Sequence, residues 1–428
     1  MHVSHPYCTI TITRLALGAV ALFVFSIPSE SGATIPGVGS LSRLLGLVAI
    51  TMVGLSLFDR GRLRLRAPTL FLVLAAAFVA WGAVTYFWSV APPSSISRTV
   101  QNLQLFALAW MVHQIARTER DRDVLMQAFV FGCYLMILIA VAAFLGGSRV
   151  GYRDVGFSIN SFAIVAALAI PMAWGLVLRS SFPLLRALNA AYPVLALFAV
   201  VLAASRGGLL TALVGLVVIP LTLPRLRPVW RMMLVAAVSA AVWSVFTWLP
   251  VAAPDLQRNF ERLGRVEEDL VAGTMSGRTG IWAAGVEVFL TSPIVGVGVG
   301  AYNRAVEPIL GSARSAHNAF LAIAVTTGLV GLLLFAGMFA MVFVGLMAHS
   351  ARHADYFVLL AALIVATMPA NNENNKYLWF ILAILSAARP VMVRVDASVR
   401  QRHVRRAFRG ANGFPLPRPR TVSAPPDG

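Results

Sequence analysis

Charged residues are scarce in this chain. They make up 12% of its 428 residues, whereas soluble domains carry about 25%. Hydrophobic residues account for 58%, and the mean hydropathy is +0.78. A surface built from this composition cannot face water throughout, which excludes a cytosolic enzyme, a disordered protein and a secreted disulfide-rich scaffold. The composition indicates an integral membrane protein.

Cysteine and acidic residues are also few. Cys8 and Cys133 are the two cysteines of the chain, and two such residues form neither a disulfide framework nor a metal-ligand cluster. The 17 acidic residues face 35 basic ones, which gives a formal net charge of +18. Because the basic residues lie between apolar runs, their charge indicates orientation in a membrane, and we expect no nucleic-acid partner.

Long apolar runs recur along the chain. A hydrocarbon core of about 30 Å needs about 20 apolar residues, and only helices satisfy their own backbone groups there within one segment. The sequence predicts an all-α polytopic protein with about twelve transmembrane helices, near 13–27, 41–58, 69–88, 102–116, 124–145, 161–178, 187–204, 207–223, 232–249, 318–347, 354–370 and 375–389. Residues 1–249 then hold helices 1–9, 250–316 form a long loop, 317–390 hold helices 10–12, and 391–428 form a basic, proline-rich tail.

Arginine positions predict the orientation of these helices. Every second connection between the predicted helices, all on the same side of the membrane, is rich in arginine. These arginines are Arg60, Arg62, Arg64, Arg66, Arg117, Arg120, Arg122, Arg179, Arg186, Arg225, Arg227, Arg231, Arg352 and those of the tail. By the positive-inside rule this face and both termini are cytoplasmic, so the loop 250–316 is periplasmic. The apolar stretch 187–223 is too long for one span, and basic loops that face the cytoplasm flank it on both sides. The chain must therefore cross the membrane an even number of times between them, which predicts two helices with an outer turn at 205–208.

The predicted periplasmic loop contains an amphipathic segment from Gly277 to Leu290. Its apolar positions share one helical face, namely Ile281, Trp282, Gly285, Val286, Phe289 and Leu290. Arg278 and Glu287 fall on the other face, which predicts a helix lying in the membrane interface. The run 296–300, Gly-Val-Gly-Val-Gly, matches a dinucleotide-binding pattern only weakly and is more typical of a flexible turn.

Cations also occur on the predicted outer face, where the positive-inside rule disfavours them. They are Arg98, Arg149, Arg153, Arg206, Arg278, Arg304 and Arg314, with His317 at the start of the tenth helix. Guanidinium groups suit phosphate, so one interpretation is an anion-binding site, and the other is that Arg206 reaches lipid headgroups. His317 can take a proton from a hydroxyl at neutral pH, or it can bond a neighbouring backbone group. Because no metal-ligand pattern lies on this face, we expect chemistry without a metal or cofactor.

Three sequence elements follow one another in order. They are Ser205-Arg206-Gly207-Gly208; Gly277-Arg278 with Trp282, continuing to Ser292-Pro293, Gly296, Gly298, Tyr302 and Asn303; and His317-Asn318 followed by Gly328-Leu329-Val330-Gly331. Trp88-Ser89, Pro92 and Arg98 precede them. Together they resemble the O-antigen ligase and O-antigen polymerase superfamily of integral membrane glycosyltransferases. The resemblance covers about 85–428 and is densest over 200–335.

The resemblance implies a GT-C-like helical fold in a bacterial inner membrane with an active site facing the periplasm. The donor would be a glycan linked to undecaprenyl diphosphate. The acceptor would be a hydroxyl of lipid A-core for a ligase, or of another glycan for a polymerase. Carried over by position, Arg206 and Arg278 would neutralise the diphosphate and His317 would activate the acceptor hydroxyl. The expected substrate-binding residues are Arg98, Arg153, Asn160, Trp282, Tyr302, Asn303, Arg304, Arg314 and Asn318.

Two alternatives remain open at this point. A protein O-oligosaccharyltransferase is a related enzyme, but it would add a larger outer domain near the C-terminus. A multispanning transporter would place an ionisable residue at the membrane midplane or repeat its broken helices in two halves. The nearest candidate is the run 371–375, Asn-Asn-Glu-Asn-Asn, which falls in an outer loop, and the sequence has no evident internal repeat.

Overall fold

Helices dominate the part of the chain that the structure describes. The computed structural model describes residues 12–30, 34–35, 39–59, 62–63, 65–145, 158–222, 278–348 and 354–387, with 227, 229–230, 232–233 and 236. The chain divides into the units Met1–Ala388 and Arg389–Gly428, and the second lies outside the described residues. So do most of the predicted ninth helix, the first part of the predicted periplasmic loop and the predicted tail.

The helices account for most of the described ranges. They are α1 (Ile12–Ser26), α2 (Leu41–Leu57), α3 (Leu70–Val84), α4 (Pro92–Ile115), α5 (Glu119–Leu145), α6 (Ile159–Arg179), α7 (Pro183–Ala203), α8 (Arg206–Leu216), α9 (Val218–Leu221), α10 (Arg278–Thr291), α11 (Tyr302–Leu310), α12 (Ala319–Met347), α13 (Ala354–Thr367) and α14 (Lys376–Ser386). A 3₁₀ turn, Thr85–Trp88, follows α3. The strands within these ranges form two antiparallel pairs, β1 (Thr34–Ile35) with β2 (Gly39–Ser40) and β3 (Phe58–Asp59) with β4 (Arg62–Leu63).

Several of these helices can cross a membrane. Five segments are long and apolar enough, namely Leu70–Trp88, Glu119–Phe144, Asn160–Arg179, Pro183–Ala203 and Ala319–Met347. Shorter apolar helices accompany them at Ile12–Ser26, Leu41–Leu57, Arg206–Leu221, Ala354–Thr367 and Lys376–Ser386. The chain is therefore a multi-pass membrane protein, and the total of twelve spans remains a prediction.

Two predicted boundaries are informative. The break within 187–223 is confirmed, because α7 ends at Ala203, Ala204 adopts a left-handed conformation with φ 49°, and α8 begins at Arg206. The run near 102–116, in contrast, belongs to a helix that begins ten residues earlier, at Pro92. Its first turns carry serines, Arg98 and Gln101, so hydropathy did not detect them, whereas proline at the start of a helix favours it.

The long apolar stretch near 318–347 is not one continuous helix. Gly328 has φ 66° and ψ −169°, which interrupts α12. The break leaves backbone carbonyls without helical partners, and three of them accept hydrogen bonds from elsewhere: Val325 O from Val297 N, Thr326 O from Gly298 N and Thr327 O from Trp81 Nε1. The amides of Leu329 and Val330 donate to Pro293 O and Ile294 O. These five backbone groups at the break thus have partners outside the helix, as burial in a membrane protein favours.

The glycine-rich run 296–300 is a packed turn, which corrects the expectation of a flexible one. Val297 and Val299 are buried, and all three glycines have positive φ. The backbone of Val299 accepts from Ser95 Oγ at 2.7 Å and donates to Thr85 Oγ1 at 2.8 Å. This turn therefore joins α3 and α4 to the broken helix α12.

The helix α10 confirms that the predicted segment is helical. Its buried positions are Ala284, Gly285 and Val288, and they pack against α11 and α12. Val286 and Leu290, which belong to the predicted apolar face, are exposed at the protein surface. The location of this face in the membrane interface remains a prediction, whereas the packing against α11, a helix that the sequence did not predict, is a new feature.

The core of the described unit lies around α6 and α14. Every residue of α14 from Tyr377 to Ser386 is buried, between α4, α12 and α13. At the C-terminal end of α6, Arg179 binds Asp355 (Nη1–Oδ2 2.6 Å) and Asp123 (Nε–Oδ1 2.8 Å), which links α5, α6 and α13.

Candidate functional site

The turn between α7 and α8 holds Arg206. Ser205 caps α8, since its hydroxyl oxygen accepts from Gly208 N at 3.2 Å, and it donates to Asn160 Oδ1 at 3.0 Å. Asn160 lies in the first turn of α6, so this bond fixes the turn against the start of that helix. Arg206 is consequently held as the first residue of α8.

Two glycines let this turn approach its neighbours closely. A Cβ atom at Gly207 would lie 2.7 Å from Pro369 Cγ, and one at Gly208 would overlap the side chain of Ala163. Hence the residues after Arg206 must lack side chains for α8 to pack against α6 and the end of α13.

A second turn of the same construction holds His317. The backbone of His317 is left-handed with φ 49°, and Asn318 caps α12 by accepting from Leu321 N at 3.0 Å. Directly before it, Ala316 O accepts from Trp282 Nε1 at 2.8 Å. Trp282 thereby fastens α10 to the turn that carries His317.

The helix α11 supports α10 from the other side. Tyr302 is buried, and its hydroxyl donates to Ile281 O at 3.0 Å. Gly285 faces the Tyr302 hydroxyl, and a Cβ atom there would lie 2.6 Å from it. The position of Arg278, at the first turn of α10, is set by these contacts together with the Trp282 bond.

Arg206, Arg278 and His317 are close enough for the charge of one to change the pKa of the next. Burial lowers the pKa of Arg278, and the charge of Arg206 lowers it further. Burial also lowers the pKa of His317 below its ordinary value of 6.5, and the charge of Arg278 adds to this. We call Arg206, Arg278 and His317 the cation cluster. It offers two guanidinium groups to an anion, with an imidazole that is neutral at neutral pH beside them.

Residues 191–336, which contain the whole cation cluster, match the O-antigen ligase family. The resemblance to the O-antigen ligase and polymerase superfamily is confirmed. The chain is also similar to the exopolysaccharide production protein ExoQ of Rhizobium meliloti (strain 1021), with 28% identity over 305 residues. That similarity covers 63% of this chain and 64% of the relative, so it spans less than two thirds of the relative's length.

The remaining predicted site residues differ in their surroundings. Four of them form the hydrogen bonds described above, which position α10 and the turns that carry Arg206 and His317, namely Asn160, Trp282, Tyr302 and Asn318. Arg304 and Arg314 are exposed and bond locally, Arg304 to Glu307 at 2.6 Å and Arg314 to Ser312 at 3.2 Å. Arg153 lies outside the described residues.

Arg98 and Asn303 line a polar cavity that sequence reasoning missed. Its walls come from α3, α4, α11, the start of α12 and the loop 371–374, and they include Glu373. The lining residues are far apart in sequence, so no motif signals the cavity. Among the described residues, no three His, Cys, Asp or Glu side chains form a group that could hold a metal ion.

Proposed function

We propose that this protein is a membrane glycosyltransferase of cell-surface polysaccharide biosynthesis. It transfers a glycan from an undecaprenyl-diphosphate carrier to an acceptor hydroxyl at the periplasmic face of a bacterial inner membrane. The observation that carries the proposal is the cation cluster, in which the charge of Arg206 contributes to the lowered pKa of Arg278, inside the region that matches the O-antigen ligase family.

The two arginines suit a diphosphate leaving group. Like charges held close together in a half-buried place raise each other's electrostatic energy, and a bound dianion offsets that cost. When the glycosidic bond to phosphate breaks, negative charge develops on the leaving oxygen. Two guanidinium groups aimed at that charge lower the barrier by electrostatic stabilisation.

His317 suits the acceptor side of the reaction. With its pKa lowered, the imidazole is unprotonated at neutral pH and can take the proton of the attacking hydroxyl. A bond then forms between the acceptor oxygen and the anomeric carbon, the bond from that carbon to the phosphate oxygen breaks, and the carrier leaves as undecaprenyl diphosphate. Direct displacement of this kind inverts the anomeric configuration.

The proposed orientation follows from the ends of three helices. The site lies at the starts of α4 and α6 and the end of α7, where Arg98, Asn160 and the Ser205 turn are found. Arg117 follows the opposite end of α4, and Arg179 and Arg186 lie at the opposite ends of α6 and α7. The positive-inside rule assigns these ends to the cytoplasm, so the proposed site faces the periplasm. The predicted even number of spans then assigns both termini to the cytoplasm.

The proposed acceptor is a glycan or lipid A-core. A ligase and a polymerase share the same transfer chemistry and differ in which hydroxyl attacks. The relative is named for exopolysaccharide production, which supports a polysaccharide product over protein glycosylation.

The test replaces the native protein by His317→Ala in cells and measures the undecaprenyl-linked glycans by mass spectrometry. Stranded long glycans identify a ligase, and stranded single repeat units identify a polymerase. Arg186→Ala, an exposed arginine on the opposite side, is the matched control and leaves the pool unchanged. An unchanged pool in His317→Ala, at wild-type protein levels, overturns the proposed function.

A further inference from the structure

A groove and a cavity share part of their walls next to the turn that carries His317. The groove has a volume of about 580 Å³ and opens between the start of α4 and α11. The cavity has a volume of about 100 Å³ and reaches the loop 371–374. Arg98, Gly300 and Asn303 line both, so the more enclosed cavity adjoins the groove as its inner end. We call the two together the α4–α11 groove.

Three hydrogen-bond acceptors at the inner end lack partners. Asn102 Oδ1, Asn371 Oδ1 and Glu373 Oε2 are buried and bond to no other group among the described residues. Asn102 is 2% exposed and Glu373 is 9% exposed, and all three residues line the cavity. Because buried polar atoms are normally satisfied, three orphan oxygens around one cavity indicate a ligand that donates hydrogen bonds.

The charges around the cavity narrow the class of that ligand. Arg98 lines the same cavity and interacts electrostatically with Glu373, although burial raises the pKa of that carboxyl group to about 7. The charge of Arg98 would repel a cationic ligand, and the carboxyl group and the two amide carbonyl oxygens would repel an anionic one. A neutral ligand with several hydroxyl groups satisfies all three oxygens. The outer groove is lined by Arg304 and Glu307, whose opposite charges pair with each other at 2.6 Å, and by uncharged hydrogen-bonding side chains, Ser94, Ser97, Gln101 and Asn303. This lining suits a longer polar chain.

The wall of the cavity connects this ligand to the cation cluster. Ser315 and Ala316 line the cavity, and His317 follows them directly in the turn before α12. Ala316 also accepts the Trp282 hydrogen bond that fastens α10, which carries Arg278. A ligand in the cavity thus touches the same short segment that positions His317.

We propose that the α4–α11 groove is the acceptor subsite and binds a neutral saccharide, with Glu373, Asn102 and Asn371 accepting hydrogen bonds from its hydroxyl groups. The identification of this saccharide as the acceptor rests on the proposed function, in which His317 takes the proton of the acceptor hydroxyl. The binding of a hydroxyl-rich ligand to the groove rests on the groove alone.

The first experiment measures binding through the protection of an introduced thiol. In the full chain in lipid nanodiscs, with Cys8→Ser, a single thiol is placed in the cavity wall by Ser315→Cys. Ser312→Cys, which is also half-buried but does not line the groove, is the matched control. Both are modified with iodoacetamide in the presence of repeat-unit oligosaccharides released by mild acid from the polysaccharide of the same cells, with glycan-free undecaprenyl diphosphate as a second probe. Cys133 is fully buried and does not compete.

The proposal expects the oligosaccharides to slow modification of Ser315→Cys by about 10-fold or more and to leave Ser312→Cys unchanged. Adding Glu373→Gln should raise the oligosaccharide concentration needed for half-protection by about 10-fold. Asn371→Ala is the second variant should Glu373→Gln fail to give a monodisperse protein. Equal modification rates with and without oligosaccharide overturn the proposal. Protection by undecaprenyl diphosphate alone overturns the acceptor assignment, because the groove would then hold the donor.

Failure of this proposal is distinguishable from failure of the proposed function. If His317→Ala strands carrier-linked glycans but Ser315→Cys is not protected, the transfer stands and the acceptor subsite is wrong. If Ser315→Cys is protected but the carrier-linked pool in His317→Ala is unchanged, the groove binds saccharide and the transfer reaction is wrong.

Discussion

His317 lies half-buried beside Arg278, and both burial and the guanidinium charge lower the pKa of the imidazole below 6.5. A general base with this pKa is active at neutral pH and is lost as the pH falls through the lowered pKa. We expect kcat/KM to decline on the acid side with a midpoint below 6.5.

Two variants separate the causes of this shift. Arg278→Lys keeps the charge and should keep the midpoint, whereas Arg278→Gln removes it and should move the midpoint of the residual activity to higher pH. Transfer rates from pH 4.5 to 8 measure both. The same midpoint in Lys and Gln variants contradicts the assignment of His317 as a base beside Arg278.

Arg206→Ala and Arg278→Ala should each lower the transfer rate by about 100-fold or more, because in the proposed mechanism each arginine supplies positive charge that stabilises the developing phosphate oxyanion. Arg278→Lys should recover only part of the rate, since an ammonium group cannot form the bidentate contact. Rates in nanodiscs measure these effects, with Arg186→Ala as the control. A wild-type rate in either Ala variant removes that arginine from the site.

Trp282 acts through the backbone of the turn before His317. Trp282→Phe keeps an aromatic ring but loses the 2.8 Å hydrogen bond to Ala316 O. A bond of this kind contributes about 1 kcal/mol, so we expect kcat to fall by roughly 5-fold with little change in KM. Steady-state kinetics separate the two constants. Trp230→Phe, at an exposed tryptophan, should leave both unchanged, and an equal fall there would point to a general loss of packing.

Gly328 is required for the break in α12. Alanine there would be strained at φ 66°, and its Cβ would overlap the carbonyl of Ile294. Gly328→Ala should therefore destabilise the protein by several kcal/mol and lower the yield of monodisperse material in detergent. Gly345→Ala, on the same helix, should have the wild-type yield, since no atom of the described residues outside the backbone of that helix lies within 4 Å of the added Cβ. Equal yields from both variants would contradict the observed break.

The carboxyl group of Glu373 should make stability depend on pH. Burial raises its pKa from 4.5 to about 7, although the Arg98 charge and the hydrogen bond from Asn374 oppose this. Because the folded state holds the proton more tightly than the unfolded state, this contribution is complete below pH 4.5 and is lost as the pH rises through about 7. The loss amounts to about 3 kcal/mol at most.

Glu373→Gln cannot ionise and should unfold at a higher temperature than the wild type above pH 8, with the difference shrinking toward pH 5. Apparent unfolding temperatures across pH 5–9 measure this effect. Glu287→Gln, at an exposed carboxylate on α10, should follow the wild-type profile. A constant difference between Glu373→Gln and the wild type at all pH values would contradict a raised pKa.

The sequence predicted those features that follow from local patterns. The turn at Arg206 was predictable because the apolar stretch around it is flanked by basic connections on the same side of the membrane, so two helices must cross the membrane between them. The start of α4 was missed because its first turns are polar, and hydropathy detects only the apolar half of that helix. The resemblance named the cation cluster, since its members lie in short motifs that keep their order along the chain.

Features that depend on contacts between distant segments were not predictable in this way. The break at Gly328 exists because residues 293–298 supply partners for its backbone, and nothing within the apolar run itself marks it. Asn102 and Glu373 meet in one cavity although more than half the chain separates them. The packing of α10 likewise depends on α11, a helix of nine residues whose apolar residues share one face but which is too short and too polar for hydropathy to detect.

The break at Gly328 also adjusts the length of α12 to the thickness of a bilayer. An unbroken Ala319–Met347 helix would be about 44 Å long at 1.5 Å per residue, well beyond a hydrocarbon layer of about 30 Å. The part after Gly328 measures about 28 Å, which matches that layer, and the part before it adds about 14 Å. With the part after Gly328 spanning the hydrocarbon, Gly328 lies at the edge of that layer, and the part of α12 that begins next to His317 lies beyond the acyl chains. In the proposed function, the diphosphate and the sugar of the carrier then reach the imidazole while the polyprenyl chain stays among the acyl tails.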